Sequence, residues 1–258
     1  KTFKKENSKY LLISITPYTF CASLLLFLFK KKTYVYLRSN GYEEYKCYSK
    51  FFGPLIYHIM FTIVSFKANL ISCREHILRK KNGKIVSPSQ LNEKWFLPRE
   101  EPDLSKINLL YVGRIKIEKG IFSLFEILKN TKIKFLMSFV ISGKFENANI
   151  KNENIKVISF ENKDDSIIKF YDSHNIFILP SFTEGHPQVL DESLSRLRPV
   201  IIFKEISHVI GQREGVFIAE RNSSSLFKVI NYIMNNYKLI QEKMSKNKLP
   251  TKESFLKE

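Results

Sequence analysis

Short apolar runs rich in β-branched and aromatic residues recur along this chain with room for one helix between successive runs. That alternation constrains the fold more than any single residue does. YLLISI, TYVYLRS, ANLISC and KIVSP come first; INLLYVG, KFLMSFVISGK, IKVISF, HNIFILPS, PVIIF and GVFIA follow. The segments between them read largely as helices: a Thr-capped, Pro-started stretch from Pro17 to Phe29, a Pro-led apolar stretch from Pro54 to Phe66, GIFSLFEILKN, DSIIKFYDS, a helix from about Gln188, and a long helix over 224–247. NGYEEYKCYSKFFG reads as a polar and aromatic loop. Strands alternating with helices pair in parallel and are covered by those helices, so an α/β architecture is expected. No internal repeat of about 20 to 50 residues suggests a solenoid.

The alternation lapses once. Between Ser89 and Lys106 the periodicity is lost and two prolines collect, which reads as an inter-domain linker. The expected organisation is a partial N-terminal domain at 1–99, a near-complete doubly wound domain at 100–245, and a tail or the start of a final helix at 246–258.

Charge narrows the partners. The formal charge is +17, and residues 1–100 hold 18 Lys and Arg against 6 Asp and Glu. An anionic partner follows, whether a membrane surface, a nucleic acid or a phosphorylated small molecule. With 33 lysines against 9 arginines, and no RNP, KH or helix-turn-helix signature, base reading is disfavoured and no nucleic-acid partner is expected. The N-terminal part is instead expected to rest on an anionic membrane. Between Lys9 and Lys30 lie 20 uncharged residues, long enough for a span. Their character changes at Thr16-Pro17, so they are read as a buried strand followed by a helix, with a span or signal segment as the alternative. Cys21, Cys47 and Cys73 lack CxxC or Cys/His spacing, which argues against a disulfide framework and a zinc site. They are read as small core residues in a reducing cytoplasmic setting, the protein being peripheral at the inner face of the cell membrane.

Two segments carry chemistry, each where a strand feeds a helix. In the first, Gly113 permits a close turn while Arg114 and Lys119 place two cations in one loop, suited to a diphosphate. In the second, seven residues lie between Glu184 and Glu192, with Gly185 and Pro187 forming a tight turn before the helix. Glu192, about one turn into that helix, can accept hydrogen bonds from ribose hydroxyls, and Glu184 on the loop can face a reacting sugar. Backbone around Pro187, Val189 and Leu190 is expected to meet the diphosphate. His186 is a further candidate for a sugar or phosphate contact, whereas His58, His76, His174 and His208 are read as structural or exposed.

Together the two segments resemble glycosyltransferase family 4 and its GT-B relatives. The first signature of that family, a strand ending in Gly-Arg with a Lys five positions after the Arg, is matched by Gly113, Arg114 and Lys119. The second, E-x7-E behind a Pro-Ser strand end, is matched by Pro180, Ser181, Glu184, Gly185, Pro187 and Glu192, followed by Arg198-Pro199-Val200. The resemblance covers 100–245 well and 10–99 weakly.

It implies a GT-B fold, with a Rossmann-like C-terminal domain and a partial Rossmann-like N-terminal one. It also implies a retaining transfer of a sugar from a nucleotide-diphosphate donor to a glycan or lipid-linked acceptor of the cell envelope. Arg114 and Lys119 would neutralise the diphosphate, Glu192 would hold the ribose, and Glu184 would contact the transferred sugar. Neither a cofactor nor a metal is expected, since no DxD motif or clustered His/Asp set is present. The sequence departs from the family ahead of residue 100: the glycine-rich loop is missing, and Arg38-Ser39-Asn40-Gly41 stands where a His is common, with Glu43 or Glu44 as possible substitutes. The chain as given is therefore expected to bind donor but to turn over poorly. The alternatives are a nucleotide-sugar epimerase of GT-B type and a non-catalytic nucleotide-sugar-binding protein.

Overall fold

The computed structural model describes residues 8–129, 131, 133–142, 153–160 and 164–257. The chain forms two compact units, one reaching from the N-terminus to Pro88 and taking in Phe255 onward, the other running from Ser89 to Ser254. The polar opening at 1–7 and the Gly143-Lys144 end of the KFLMSFVISGK run lie outside the described residues.

The first unit is built on a four-stranded parallel sheet in sequential order, β1 (Lys9–Ile13), β2 (Lys32–Leu37), β3 (Asn69–Ser72) and β4 (Gly83–Ile85). Helix α1 (Pro17–Leu28) starts at a capping box: the Thr16 hydroxyl accepts from the Thr19 amide, and the Thr19 hydroxyl accepts from the Thr16 amide. No described helix is long and apolar enough to cross a membrane, and the uncharged stretch from Tyr10 to Phe29 divides into β1 and α1. The expected loop after β2 contains a helix, α2 (Gly41–Tyr48). Asn40 caps its Tyr42 amide and Glu43 and Glu44 sit in its first turn, favourable charges for a helix start that outweigh the aromatic content. Helix α3 (Phe52–Lys67) follows and packs Tyr57, Met60, Phe61 and Val64 into the core with Val35, Leu37 and Leu70. Cys73 is buried, but Cys21 is exposed on α1 rather than in the core.

The second unit holds a six-stranded parallel sheet in the order β10-β9-β8-β5-β6-β7, from β5 (Asn108–Gly113), β6 (Leu136–Ser142), β7 (Ile155–Phe160), β8 (Ile176–Leu179), β9 (Val200–Phe203) and β10 (Val216–Ala219). Strands β8 and β9 are buried at every residue, as central parallel strands covered on both faces must be. The crossing helices are α4 (Ile121–Lys129), α5 (Asp164–Asp172) and α6 (Gln188–Ser195). From β5 the chain winds outward through β6 and β7, then returns to β8 beside β5 and winds the other way. The switch point therefore lies between β5 and β8, the two strands that feed the two signature loops.

Two boundaries differ from expectation. The stretch after Ser89 is no free linker: Leu91 and Trp95 are buried in the second core, and Trp95 meets the Tyr171 ring edge-on at 5.5 Å. Arg196 binds Asp172 through both oxygens, at 2.8 and 2.7 Å, and donates to the carbonyls of Trp95 and Leu97. Arg198 donates to the carbonyls of Glu100, Tyr171 and Asp172. These buried guanidinium groups hold the segment down, so the division falls at Pro88 rather than near residue 100. The long C-terminal helix is two, α7 (Ser223–Asn235) and α8 (Tyr237–Met244), broken at Asn236, whose side chain donates to the Tyr232 carbonyl. The break turns Tyr237 inward, where its hydroxyl donates to the Asn175 carbonyl at 2.7 Å. A short α9 (Lys252–Lys257) closes the described chain, and Ser89 to Ser254 of the second unit extends past the expected end at 245.

Candidate active site

The loops after β5 and β8 are fastened to each other. The Phe182 amide donates to the Glu118 carbonyl at 2.9 Å. Gly120 adopts φ +67°, and a Cβ there would lie 1.9 Å from the Pro180 carbonyl oxygen, so only glycine permits this approach. Lys119 Nζ lies 2.6 Å from Glu184 Oε1, which also accepts from the buried Ser181 hydroxyl at 2.6 Å. Arg221 braces the second loop from behind: it donates to the carbonyls of Pro180 and Ser181, pairs with Glu205 at 2.7 Å, and lies over the Phe182 and Phe203 rings at 4.1 and 4.4 Å. His208 Nε2 donates to the Glu184 carbonyl at 2.8 Å.

Beside this clasp a cavity of about 410 Å³ opens at the sheet edge, with Gly113, Arg114, Val189 and Glu192 in its wall. At Gly113 a Cβ would lie 2.5 Å from the Tyr111 hydroxyl, which donates to the Arg114 carbonyl at 3.0 Å. The missing side chain lets that phenol fold back and fix the start of the loop. Glu192 is held from below, where the fully buried Tyr171 hydroxyl donates to Glu192 Oε2 at 2.8 Å. Burial pushes the Glu192 carboxyl up to about 7, and the Asp191 charge adds to this, while the Tyr171 hydrogen bond opposes both. The Tyr171 phenol is in turn raised, by burial first and then by Glu192.

The predicted residues thus fall into groups. Gly113, Arg114, Val189 and Glu192 share the cavity; Lys119 and Glu184 pair with each other on the adjoining loops. Pro187 has no N–H to offer, and the Leu190 amide already donates to the Pro187 carbonyl while its side chain is in the core. Gly185 belongs to the connecting loop. The ring of His186 turns inward, its Nε2 buried 3.4 Å from Asp191, whose two oxygens are bound by Arg213 at 2.6 and 3.0 Å. Burial alone would raise Asp191, but His186 and Arg213 overcome it and hold the carboxyl below its ordinary range. The His186 ring is thus packed against the Asp191–Arg213 pair on the inner side of the turn. Among the described residues, no three His, Cys, Asp or Glu side chains gather as a metal-binding group.

Sequence reasoning missed Asn92, Trp95 and Lys252, which also line the cavity, because they lie in stretches read as linker and tail. The one tryptophan of the chain, standing in a run without periodicity, was the available signal. Tyr171 and Arg221 act through Glu192 and the loop backbone, contacts that no local spacing encodes.

This arrangement, two strand-to-helix loops clasped at the switch point of a doubly wound parallel sheet, is that of a Rossmann-like domain of GT-B type. Residues 94–249 match the family Glycosyl transferases group 1, and the chain belongs to that family. It is 25% identical over 182 residues to an uncharacterized glycosyltransferase of Haemophilus influenzae, covering 66% of this chain and 51% of that protein. It is 28% identical over 123 residues to the provisionally named teichuronic acid biosynthesis glycosyltransferase TuaC of Bacillus subtilis, covering 47% and 31%. The chain thus spans about half the length of the first relative and about a third of the second. Among solved structures, it superposes with a TM-score of 0.69 on a sucrose-phosphate synthase from Thermosynechococcus elongatus, at 15% identity over 92% of this chain and 67% of that one. The Anabaena protein HepE, determined in complex with UDP-glucose, superposes with a TM-score of 0.67 at 12% identity, covering 92% and 72%. These likenesses show the GT-B fold.

Proposed function

We propose that the protein is a retaining glycosyltransferase that takes a sugar from a nucleotide-diphosphate donor and passes it to a glycan or lipid-linked acceptor in cell-envelope glycan synthesis. The observation that carries the reading is the pairing of Arg114 with Glu192 in one cavity at the β5/β8 switch point. Glu192 accepts the ribose hydroxyls, Tyr171 already occupying one lone pair of Oε2. Arg114 meets the diphosphate, and Lys119 stands on the same loop at the end of the clasp. Glu184, bound by Lys119 and Ser181, is fixed in one orientation for the hydroxyls of the transferred sugar. The chemistry is electrostatic: the cations stabilise charge on the departing diphosphate while the acceptor hydroxyl attacks from the same face. The complex of HepE with UDP-glucose supports a nucleotide sugar as donor, and the name of the Bacillus relative supports an envelope acceptor.

Calorimetry with a panel of nucleoside diphosphate sugars tests this. One member should bind, and Arg114→Ala and Lys119→Ala should each weaken it about ten-fold or more, the loss of one charge-assisted hydrogen bond. Unchanged affinity in both variants would defeat the assignment.

A further inference from the structure

Helix α3 is apolar on two faces. Tyr57, Met60, Phe61 and Val64 fill the core, but Leu55, Ile56, Ile59, Ile63 and Phe66 form a second stripe at helical spacing that is exposed, Phe66 to 84%. The neighbouring end of α1 continues it with Leu24 and Leu28, the latter 74% exposed. Between the two helices runs a groove of about 750 Å³, walled by Leu24, Phe27, Leu28, Ile63 and Phe66 with Thr62, and carrying Lys30, Lys67 and Lys81. The Lys67 ammonium lies over the Phe27 ring, 6.0 Å from its centre, which sets a cation directly beside the apolar wall. No Asp or Glu occurs from Asn7 to Tyr42 or from Tyr45 to Arg74, the stretches that hold both helices.

An apolar groove whose charged side chains are all cations is complementary to one kind of surface, a layer with a hydrocarbon interior and anionic headgroups. A second copy of the chain fits poorly. A two-fold contact through this groove would bring the same lysines against one another. We propose that the α1/α3 groove is the seat on which the protein lies against an anionic bilayer, with Leu28 and Phe66 entering the acyl boundary and Lys30, Lys67 and Lys81 meeting the headgroups. The assignment is independent of the donor-site reading, which concerns the other unit.

The test is co-sedimentation of the full chain with vesicles, without nucleotide. Binding to equimolar phosphatidylglycerol and phosphatidylcholine is expected, none to phosphatidylcholine alone, and raised salt should release the protein. Lys30→Ala, Lys67→Ala and Lys81→Ala combined should lower partitioning on the order of a hundred-fold, at about five-fold per lysine. Phe66→Ser should lower it about ten-fold. All are exposed positions, so unchanged thermal unfolding and an unchanged circular dichroism spectrum will show that the variants are folded. Equal partitioning of wild type and variants, equal binding to uncharged vesicles, or salt-resistant attachment would overturn the proposal. So would a wild-type dimer in solution that Phe66→Ser dissociates while vesicle binding is absent.

Discussion

Donor binding should strengthen with pH through a single carboxyl, that of Glu192. In the free protein burial holds this group at about 7. Tyr171 donates to Oε2, so ribose hydroxyls must donate to the remaining lone pairs, and they do so to the ionised form. If only that form binds, affinity scales with the ionised fraction, which rises about ten-fold between pH 6 and pH 8 for a group of pKa 7. A nucleotide sugar is the ligand to use, because its diphosphate is esterified at both ends and keeps its charge over this window. Calorimetry at pH 6, 7 and 8 in buffers of different ionisation heat should show the gain and, below pH 7, a released proton. Glu192→Gln keeps the volume and an acceptor for Tyr171 but should bind weakly and flatly across the range. Stability runs the other way. The folded value lies above the ordinary 4.5, so the proton favours the fold, and that contribution is complete below 4.5 and lost as pH rises through 7, about 3 kcal/mol in all. Glu192→Gln should therefore unfold at higher temperature than wild type at pH 8 while binding donor less well. A flat wild-type profile, or the same slope in the Gln variant, would refute the reasoning.

Three further outcomes follow from the same geometry. Tyr171→Phe removes the hydrogen bond that favours the Glu192 carboxylate, so the pH at which binding half-develops should move above 7 in the same titration. Gly120→Ala places a Cβ on the Pro180 carbonyl at a positive φ, and thermal unfolding should reveal a loss of more than about 1 kcal/mol together with weakened nucleotide-sugar binding. Trp95→Ala should cost about 3 to 5 kcal/mol in urea unfolding of the second unit, and a cost near zero would mean that the segment after Ser89 is a linker after all.

The sequence is most legible where physical rules are local. Pro17 behind Thr16, the buried run Ile176–Leu179 and the Gly113-Arg114 strand end each state their conformation within a few residues, and each stands as read. Glu192 could be placed one turn into its helix, but not its raised carboxyl, which depends on Tyr171 arriving from 21 positions away. The segment around Trp95 lacks any period because its order comes from Arg196 and Arg198, about a hundred residues later. Asn236 ends a helix that the apolar spacing would have carried through, because Tyr237 gains a buried partner by the turn. Inside the motif, the inward turn of His186 toward Asp191 and the bond of the Leu190 amide to the Pro187 carbonyl are details that spacing does not state.

The clasp between the loops after β5 and β8 means that neither loop is an independent module. Lys119 and Glu184 share one ion pair, Glu118 and Phe182 one backbone bond, and Gly120 and Pro180 one van der Waals surface. Substitutions at such touching positions couple, commonly by about 0.5 to 3 kcal/mol, so Lys119→Ala and Glu184→Ala should not add. If the two loops hold the donor as proposed, retargeting the domain means transplanting the pair of loops from one parent. Chimeras that cross between 113–120 and 180–192 from different parents would inherit a seam through the ion pair itself.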